Sequence, residues 1–163
     1  MSIFEKWNLE STILDAIKSR GWTEPTEIQI DAIPFARKGR DIVGQARTGS
    51  GKTAAFGIPI IEKCQTTGTP QSIILCPTRE LAVQVAEEMN LLQGKKGLVI
   101  LTVYGGTDIE KQAKKLANGC DIVVGTPGRV IDMNKKGHLN LQEISIFCLD
   151  EADRMLDMGF FPD

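Results

Sequence analysis

The fold is decided by the stretch Ala46-Arg47-Thr48-Gly49-Ser50-Gly51-Lys52-Thr53. It follows the run 41–45, which we predict to be a strand, and it opens a helical pattern that extends to about Cys64. A strand, a glycine-containing loop and a helix in this order are the context of a phosphate-binding loop. The first glycine of the usual G-x-x-x-x-G-K-[ST] pattern is Ala46 here, so the match is to a variant.

The residue types in this loop suit a bound phosphate. Gly49 and Gly51 allow the backbone to curl, so that successive amide N–H groups point at phosphate oxygens. The N-terminus of the following helix adds partial positive charge. We predict that Lys52 reaches the β- and γ-phosphates and that the Thr53 hydroxyl binds Mg²⁺. The other predicted nucleotide contacts are Ala46, Thr48 and Ser50. The alternative is a Gly/Ser/Thr-rich loop without a ligand.

Composition, charge and cysteine spacing argue against a secreted protein and against a membrane protein. The chain has 163 residues, 42% hydrophobic and 25% charged, with a net charge of −2. We therefore expect one soluble domain, 1–163, in which any polyanion binds a local patch. Lysine pairs such as Lys95-Lys96 are interpreted as solvated surface. Four cysteines without C-x-x-C spacing, and no signal peptide or membrane-length apolar run, predict a reducing, cytoplasmic location.

The apolar pattern predicts an α/β fold. Short buried strands are expected at 73–76, 98–103, 121–125 and 144–149, in addition to 41–45, and helical stretches separate them. Such alternation implies a mainly parallel sheet with helices on both faces. We predict three helix starts, which are an N-cap at Asn8, a capping box at Thr107-x-x-Glu110, and Thr126 as N-cap with Pro127 as first helical residue.

The second chemical signal is Asp150-Glu151-Ala152-Asp153, directly after the apolar run Ile146-Phe147-Cys148-Leu149. Nucleotide hydrolases with a phosphate loop need a carboxylate at the end of a neighbouring strand to hold magnesium. We predict that Asp150 holds the metal, through water, and that Glu151 orients or deprotonates the attacking water. Acidic clusters at strand ends are common caps, so this signal gains its weight from the phosphate loop.

Four motifs together resemble those of the DEAD-box ATP-dependent RNA helicases. They are residues 46–53, Pro77-Thr78-Arg79-Glu80-Leu81-Ala82, Thr126-Pro127-Gly128-Arg129 and Asp150-Glu151-Ala152-Asp153. They occur in the family's order with similar spacing and cover essentially all of the chain. Asp153, in place of His, separates the chain from the related DEAH group. The resemblance implies an N-terminal RecA-like domain that binds ATP and Mg²⁺ and contacts RNA.

The stretch 21–29 resembles the family's Q motif, which recognises adenine. The resemblance implies that Thr26 and Gln29 bind the nucleotide, since a glutamine amide can pair with the N6 and N7 edge of adenine. Phe4 occupies the position of the family's upstream aromatic, which stacks on the base. Thr26-x-x-Gln29 also has the form of a capping box, which requires no ligand, and both roles can coexist.

The resemblance also assigns an RNA-backbone site. Its residues are Thr78, Arg79, Gly106, Thr126 and Arg129. Helix N-termini, exposed glycine amides and arginine forks all favour phosphate and read no bases, so binding is expected to be indifferent to sequence. Contacts to the 2′-hydroxyl and the shape of the strand are expected to favour RNA.

The resemblance further implies a two-lobed enzyme. The chain ends soon after the Asp-Glu-Ala-Asp motif, so we expect a domain truncated there. The Ser-Ala-Thr motif, which supplies a central strand in the family, and the second RecA-like lobe with its γ-phosphate arginines lie outside it. We therefore expect little ATP turnover, and a fragment that is unstable or abnormally paired. Two alternatives stay open: a DNA-directed phosphate-loop ATPase, and an ATP-gated RNA clamp or scaffold that needs no turnover.

Overall fold

The computed structural model describes residues 1–47 and 49–157, and these ranges contain eight helices and four strands. The helices are α1 Ile3–Lys6, α2 Ser11–Ser19, α3 Glu27–Arg37, α4 Lys52–Lys63, α5 Arg79–Gln93, α6 Ile109–Ala117, α7 Pro127–Lys135 and α8 Ala152–Asp157. The strands are β1 Ser72–Leu75, β2 Ile100–Val103, β3 Ile122–Gly125 and β4 Ile146–Leu149.

The four strands form one parallel sheet in the order β2-β3-β1-β4. Ile73 of β1 is in register with Val123 of β3 on one side and with Phe147 of β4 on the other. Each connection between consecutive strands contains a helix, as parallel pairing requires. Every residue of β1 and β3 is buried, which explains why these strands have continuous apolar sequences. The predicted α/β class is confirmed.

The strand predicted at 41–45 is wrong. These residues lie outside the four strands, and the side chains of Ile42 and Val43 are 42% and 101% exposed. An apolar run becomes a strand only when a neighbouring strand takes up its N–H and C=O groups. The other four predicted strands are present, each within two residues of its expected start and end.

The described chain divides into two compact units. The first contains residues 1–63 and 88–97, and it is helical, with α3 packed against α4. Its largest buried side chains include Phe4, Ile13, Ile17, Ile33, Ile58 and Ile61. The second contains residues 64–87 and the chain from 98 onward, and it carries the whole sheet. Its core includes Ile73 and Leu75 of β1, Val123 of β3, Met133 of α7 and Met155 of α8.

Two of the predicted helix starts are wrong. Asn8 has a φ of +53° and lies before Glu10, which is the N-cap of α2. Asp108, not Thr107, caps α6, because its carboxylate accepts the N–H of Glu110 at 2.9 Å. The Thr107 hydroxyl donates instead to the carbonyl of Tyr104 at 3.2 Å. The third start is confirmed, since Thr126 is the N-cap of α7 and Pro127 opens the helix.

A buried carboxylate organises the start of the sheet. Asp121 is 1% exposed, and it accepts backbone N–H groups from Thr67 at 3.0 Å, from Gly68 at 2.8 Å and from Val99 at 2.8 Å. These bonds join the loop before β1 to the residues before β2 and β3. Hydrogen bonds of this number satisfy a buried carboxylate, so we interpret Asp121 as structural.

Among the described residues, no helix combines the length and the apolar character that crossing a bilayer requires.

Candidate functional site

The phosphate loop has the backbone geometry that its glycines predict. Gly49 and Gly51 have φ angles of +82° and +84°, in the left-handed region that glycine adopts without strain. The N–H of Ser50 donates to the carbonyl of Arg47 at 3.1 Å, which tightens the turn before α4. Lys52 and Thr53 are the first two residues of α4, where the N-terminal N–H groups and the helix dipole favour an anion. The predicted contact Thr48 lies outside the described residues.

The Q-motif residues lie directly against this loop. Thr26 is the N-cap of α3 and forms a capping box with Gln29, whose Oε1 accepts the N–H of Thr26 at 3.0 Å. The Nε2 of Gln29 donates to the carbonyl of Gly51 at 3.1 Å. The capping interpretation of this motif is therefore confirmed, and the amide also binds the phosphate loop.

The two predicted contacts to the adenine base, pairing by Gln29 and stacking by Phe4, stay predictions. Gln29 is 2% exposed, and its two hydrogen bonds use one donor and one acceptor of an amide that has two of each. Phe4 is also 2% exposed, and its ring packs edge-on against Trp7 with the centroids 5.8 Å apart. Stacking on adenine requires an accessible ring face, so a base contact by Phe4 requires a rearrangement of α1.

The acidic motif follows β4 in the second unit. The N–H of Asp150 donates to the carbonyl of Leu75 at 2.9 Å, which extends the pairing of β4 with β1 by one residue. Asp150 is 3% exposed, and Glu151 is half-buried with a φ of +57°. A non-glycine residue in the left-handed region costs about 1–2 kcal/mol, and such strain is common where a functional side chain must be aimed.

The predicted RNA-contacting residues all follow strand ends in the second unit. Thr78 and Arg79 follow β1, Gly106 follows β2, and Thr126 and Arg129 follow β3. Because the strands are parallel, their carboxyl ends lie at the same end of the sheet, where open α/β sheets place ligands. The structure thus brings the five residues to this end of the sheet.

Arg79 lies against one aromatic ring and beside one glycine. Its guanidinium carbon lies 5.4 Å from the ring centroid of Tyr104, within cation–π range. A Cβ atom built on Gly106 lies 3.6 Å from Nη1 of Arg79, so this exposed glycine and the arginine are neighbours. The Thr78 hydroxyl accepts the N–H of Leu81 at 3.2 Å and caps the start of α5.

Arg129 is held by two uncharged oxygens. Its Nη1 donates to Oε1 of Gln112 at 3.1 Å, and its Nη2 donates to the carbonyl of Thr107 at 3.1 Å. Sequence reasoning missed Gln112 and Tyr104. Gln112 had no detectable signal, because a single glutamine within a helix resembles any solvated residue. Tyr104 offered a weak one, as the chain's only tyrosine directly before Gly105-Gly106.

Chemically, the first unit offers a loop and a helix N-terminus suited to phosphate groups, with the buried amide of Gln29 and the exposed Thr26 packed against the loop. The second offers two arginines beside an exposed glycine backbone, and two carboxylates at the end of β4. The loop, the helix N-terminus and the arginines suit anionic ligands, whereas the two carboxylates are oxygen donors of the type that Mg²⁺ prefers.

Comparison with known proteins agrees with these features. The model of the DEAD/DEAH box helicase family matches residues 26–163. A probable ATP-dependent RNA helicase of Methanocaldococcus jannaschii is 52% identical over 161 residues, which are 98% of this chain and 44% of that protein. A DEAD-box ATP-dependent RNA helicase of Streptococcus pneumoniae is 50% identical over 161 residues, covering 98% of this chain and 31% of that protein.

Solved structures show the same likeness. The crystal structure of a DEAD box protein from Methanococcus jannaschii superposes with a TM-score of 0.90 at 51% identity, covering 94% of this chain and 42% of that one. A hypothetical ATP-dependent RNA helicase from Sulfolobus tokodaii gives 0.85 at 40% identity, covering 93% of this chain and 44% of that one. The chain thus spans less than half the length of each of these relatives. On the family model and these identities, the chain belongs to the DEAD/DEAH box helicase family.

Proposed function

We propose that this chain is the N-terminal RecA-like, ATP- and RNA-binding part of an ATP-dependent RNA helicase. The observation that carries the nucleotide half of the proposal is the contact between Gln29 and Gly51. It joins the residue proposed to recognise adenine to the loop proposed to bind phosphate, within one compact unit. A single nucleotide that spans both groups accounts for this arrangement.

The proposed hydrolytic residues have distinct roles. Lys52 binds the β- and γ-phosphates as a point charge, and the backbone N–H groups around Gly49 and Gly51 bind phosphate oxygens. Thr53 in the first unit and Asp150 in the second each have an oxygen atom of the kind that would hold Mg²⁺, an ion that would neutralise phosphate charge. Glu151 accepts the proton of the attacking water or orients it.

The RNA half of the proposal rests on Arg79, Arg129 and the amide of Gly106. Their groups follow the carboxyl ends of the strands and suit phosphates, and contacts to phosphate carry no sequence information. We propose that single-stranded RNA binds there through its backbone, independently of sequence. We also propose that a second RecA-like lobe completes the site for transition-state charge, so this chain alone turns over little ATP.

Calorimetric titration of the chain with Mg·ADP tests the nucleotide half. We expect Lys52→Met to weaken ADP binding about tenfold to a hundredfold, because it removes a charge-assisted contact to phosphate. Lys38→Met is the control, since Lys38 is exposed beyond the end of α3. Equal affinity of wild type and Lys52→Met would contradict the phosphate site.

A competition between ADP and GDP tests the base. Guanine presents O6 where adenine presents N6, so an amide that pairs with adenine discriminates against guanine. We expect Gln29→Leu to reduce the preference for ADP. If GDP competes as well as ADP in the wild type, Gln29 is a structural cap and loop contact only.

Hydrolysis assays with matched single strands of RNA and DNA test the substrate. RNA-stimulated turnover by this chain alone would contradict the need for a second lobe. In a binding competition between the same strands, a preference for DNA over RNA would favour the DNA-directed alternative. In a protein that carries both lobes, unchanged function after Glu151→Gln would favour the clamp.

A further inference from the structure

Gln112 lies at the centre of a hydrogen-bonded network beside the proposed RNA site. It is half-buried on the first turn of α6, and its amide bonds to three groups. Its Oε1 accepts from Nη1 of Arg129 at 3.1 Å, and its Nε2 donates to the Tyr104 carbonyl at 3.0 Å and to the Thr107 hydroxyl at 2.6 Å. One side chain thus joins the turn that follows β2 to the helix that follows β3.

The network reaches both arginines. Arg129 is bound directly, and its second nitrogen donates to the carbonyl of Thr107 in the same turn. Arg79 is reached through Tyr104, whose carbonyl is held by Gln112 while its ring lies under the Arg79 guanidinium. Gly106 belongs to this turn as well. The positions of all three proposed phosphate-binding groups therefore depend on one amide.

The chemical type of the network suits a site for anions. An amide oxygen and a backbone carbonyl orient the Arg129 guanidinium without neutralising it, since neither carries a charge. A glutamate in place of Gln112 would keep the acceptor but pair the arginine, and it would place a negative charge beside a phosphate. An amide is the side chain of this length that can donate to Tyr104 and Thr107 and accept from Arg129 at the same time.

We infer that Gln112 is a positioning residue for RNA binding, which sets the geometry of Arg129 and of the 104–107 turn while leaving the arginine charge available to phosphate. This inference rests on the proposed function. Ordering these groups before RNA arrives lowers the conformational entropy that binding must remove. Gln112 itself need not touch the RNA.

Two variants separate geometry from charge. Gln112→Met keeps the length of the side chain and removes all three hydrogen bonds. Gln112→Glu keeps the acceptor for Arg129, removes the donors to Tyr104 and Thr107, and adds a charge. Gln142→Met is the matched control, because Gln142 is exposed before β4 in the same unit. All three are made in the full 163-residue chain.

The binding experiment is a fluorescence anisotropy titration of a short single-stranded oligouridylate at several salt concentrations. We expect Gln112→Met to raise Kd about fivefold, the equivalent of one lost hydrogen bond. The slope of log Kd against log salt should fall by about 0.7, the value for one single-strand phosphate contact. Gln112→Glu should also weaken binding, and Gln142→Met should match the wild type. Unchanged ADP affinity and a melting transition that stays cooperative separate this result from misfolding.

A second readout tests the positioning without RNA. In ¹⁵N spectra of the arginine side chains, the restricted Arg129 guanidinium should give distinct Nη signals in the wild type and in Gln112→Glu. In Gln112→Met these signals should merge as the group rotates freely. Unchanged Arg129 signals in Gln112→Met, or wild-type RNA affinity and salt slope, would overturn the inference. A wild-type chain that fails to bind the oligouridylate at low salt, with its Arg129 signals intact, would instead overturn the proposed RNA site and remove the role assigned to Gln112.

Discussion

At the scale of single residues, the two glycines of the phosphate loop have the same backbone conformation but different surroundings. A Cβ atom built on Gly49 has no neighbour within 4 Å in the described chain. The same atom on Gly51 lies 2.8 Å from the Thr26 hydroxyl and closer still to Nε2 of Gln29. Gly51 is therefore required both for its positive φ and for close approach of the Q motif.

We predict that Gly51→Ala destabilises the chain more than Gly49→Ala does. Both substitutions incur about 1 kcal/mol of backbone strain. Gly51→Ala must also displace two side chains of the capping box, which adds about 1–3 kcal/mol. Urea unfolding of the two variants measures the difference, and each serves as the control for the other. Equal losses of unfolding free energy would show that the Q motif moves aside without cost.

The thiol of Cys120 provides a pH-dependent prediction. Burial, with a smaller contribution from the charge of Asp121, raises the pKa of Cys120 from its ordinary value of 9.0 to about 12. Between these values the unfolded chain loses the thiol proton and the folded chain keeps it. This contribution to stability is therefore complete below pH 9 and is lost as pH rises toward 12.

We predict that Cys120 is inert to iodoacetamide in the folded chain, since the thiolate is the reactive form. Peptide mapping by mass spectrometry at pH 9 should show Cys148, which is half-buried, alkylated well before Cys120. In guanidinium the two should react at similar rates. Equal rates in the folded chain would contradict the burial of Cys120.

At the scale of elements, one lysine holds the end of α4. The ammonium of Lys96 donates to the carbonyls of Ile61 and Glu62, and it pairs with the carboxylate of Glu10 at 3.0 Å. The last carbonyls of a helix have no partners within it, so a cation there satisfies them and complements the dipole. The interpretation of the Lys95-Lys96 pair as solvated surface is therefore wrong for Lys96, whose side chain is 10% exposed.

We predict that Lys96→Met lowers the free energy of unfolding by about 1.5–3 kcal/mol, because it leaves carbonyls and a carboxylate without their charged donor. Lys95→Met is the control, since Lys95 is the exposed neighbour, and it should change stability by less than about 0.5 kcal/mol. Chemical denaturation of both variants makes the comparison. Similar effects would show that Lys96 is dispensable for α4.

At the scale of the whole molecule, β4 is the least protected part of the sheet. It lies at one end of the strand order, and its residues Phe147 and Leu149 are 58% and 36% exposed. An edge strand with exposed apolar side chains is a template for pairing with another chain. The expectation that the 163-residue chain is unstable or abnormally paired stays a prediction, and this edge is where we expect pairing.

We predict that the chain associates in a concentration-dependent manner. Phe147→Lys should weaken the association about tenfold to a hundredfold, because it removes an aromatic side chain that association would bury. Sedimentation velocity over a range of concentrations measures it. Leu91→Lys is the control, because Leu91 is 59% exposed on a helix rather than on a strand edge. A monomer whose cooperative melting is independent of concentration would contradict the prediction.

The α/β class, four of the strands, the helix after the phosphate loop and the positions of the chemical motifs at strand and helix ends could be predicted from the amino-acid sequence. These features follow from local patterns: apolar runs, helical periodicity, Pro127 after a cap, and glycines where φ must be positive. Long-range contacts in the folded chain leave 41–45 outside the four described strands, bond Gln29 to Gly51, place Lys96 at the end of α4 and make Gln112 a link between two strand ends. Each of these depends on a partner distant in the chain, and the identity of a polar or apolar residue does not specify which partner the fold will bring to it.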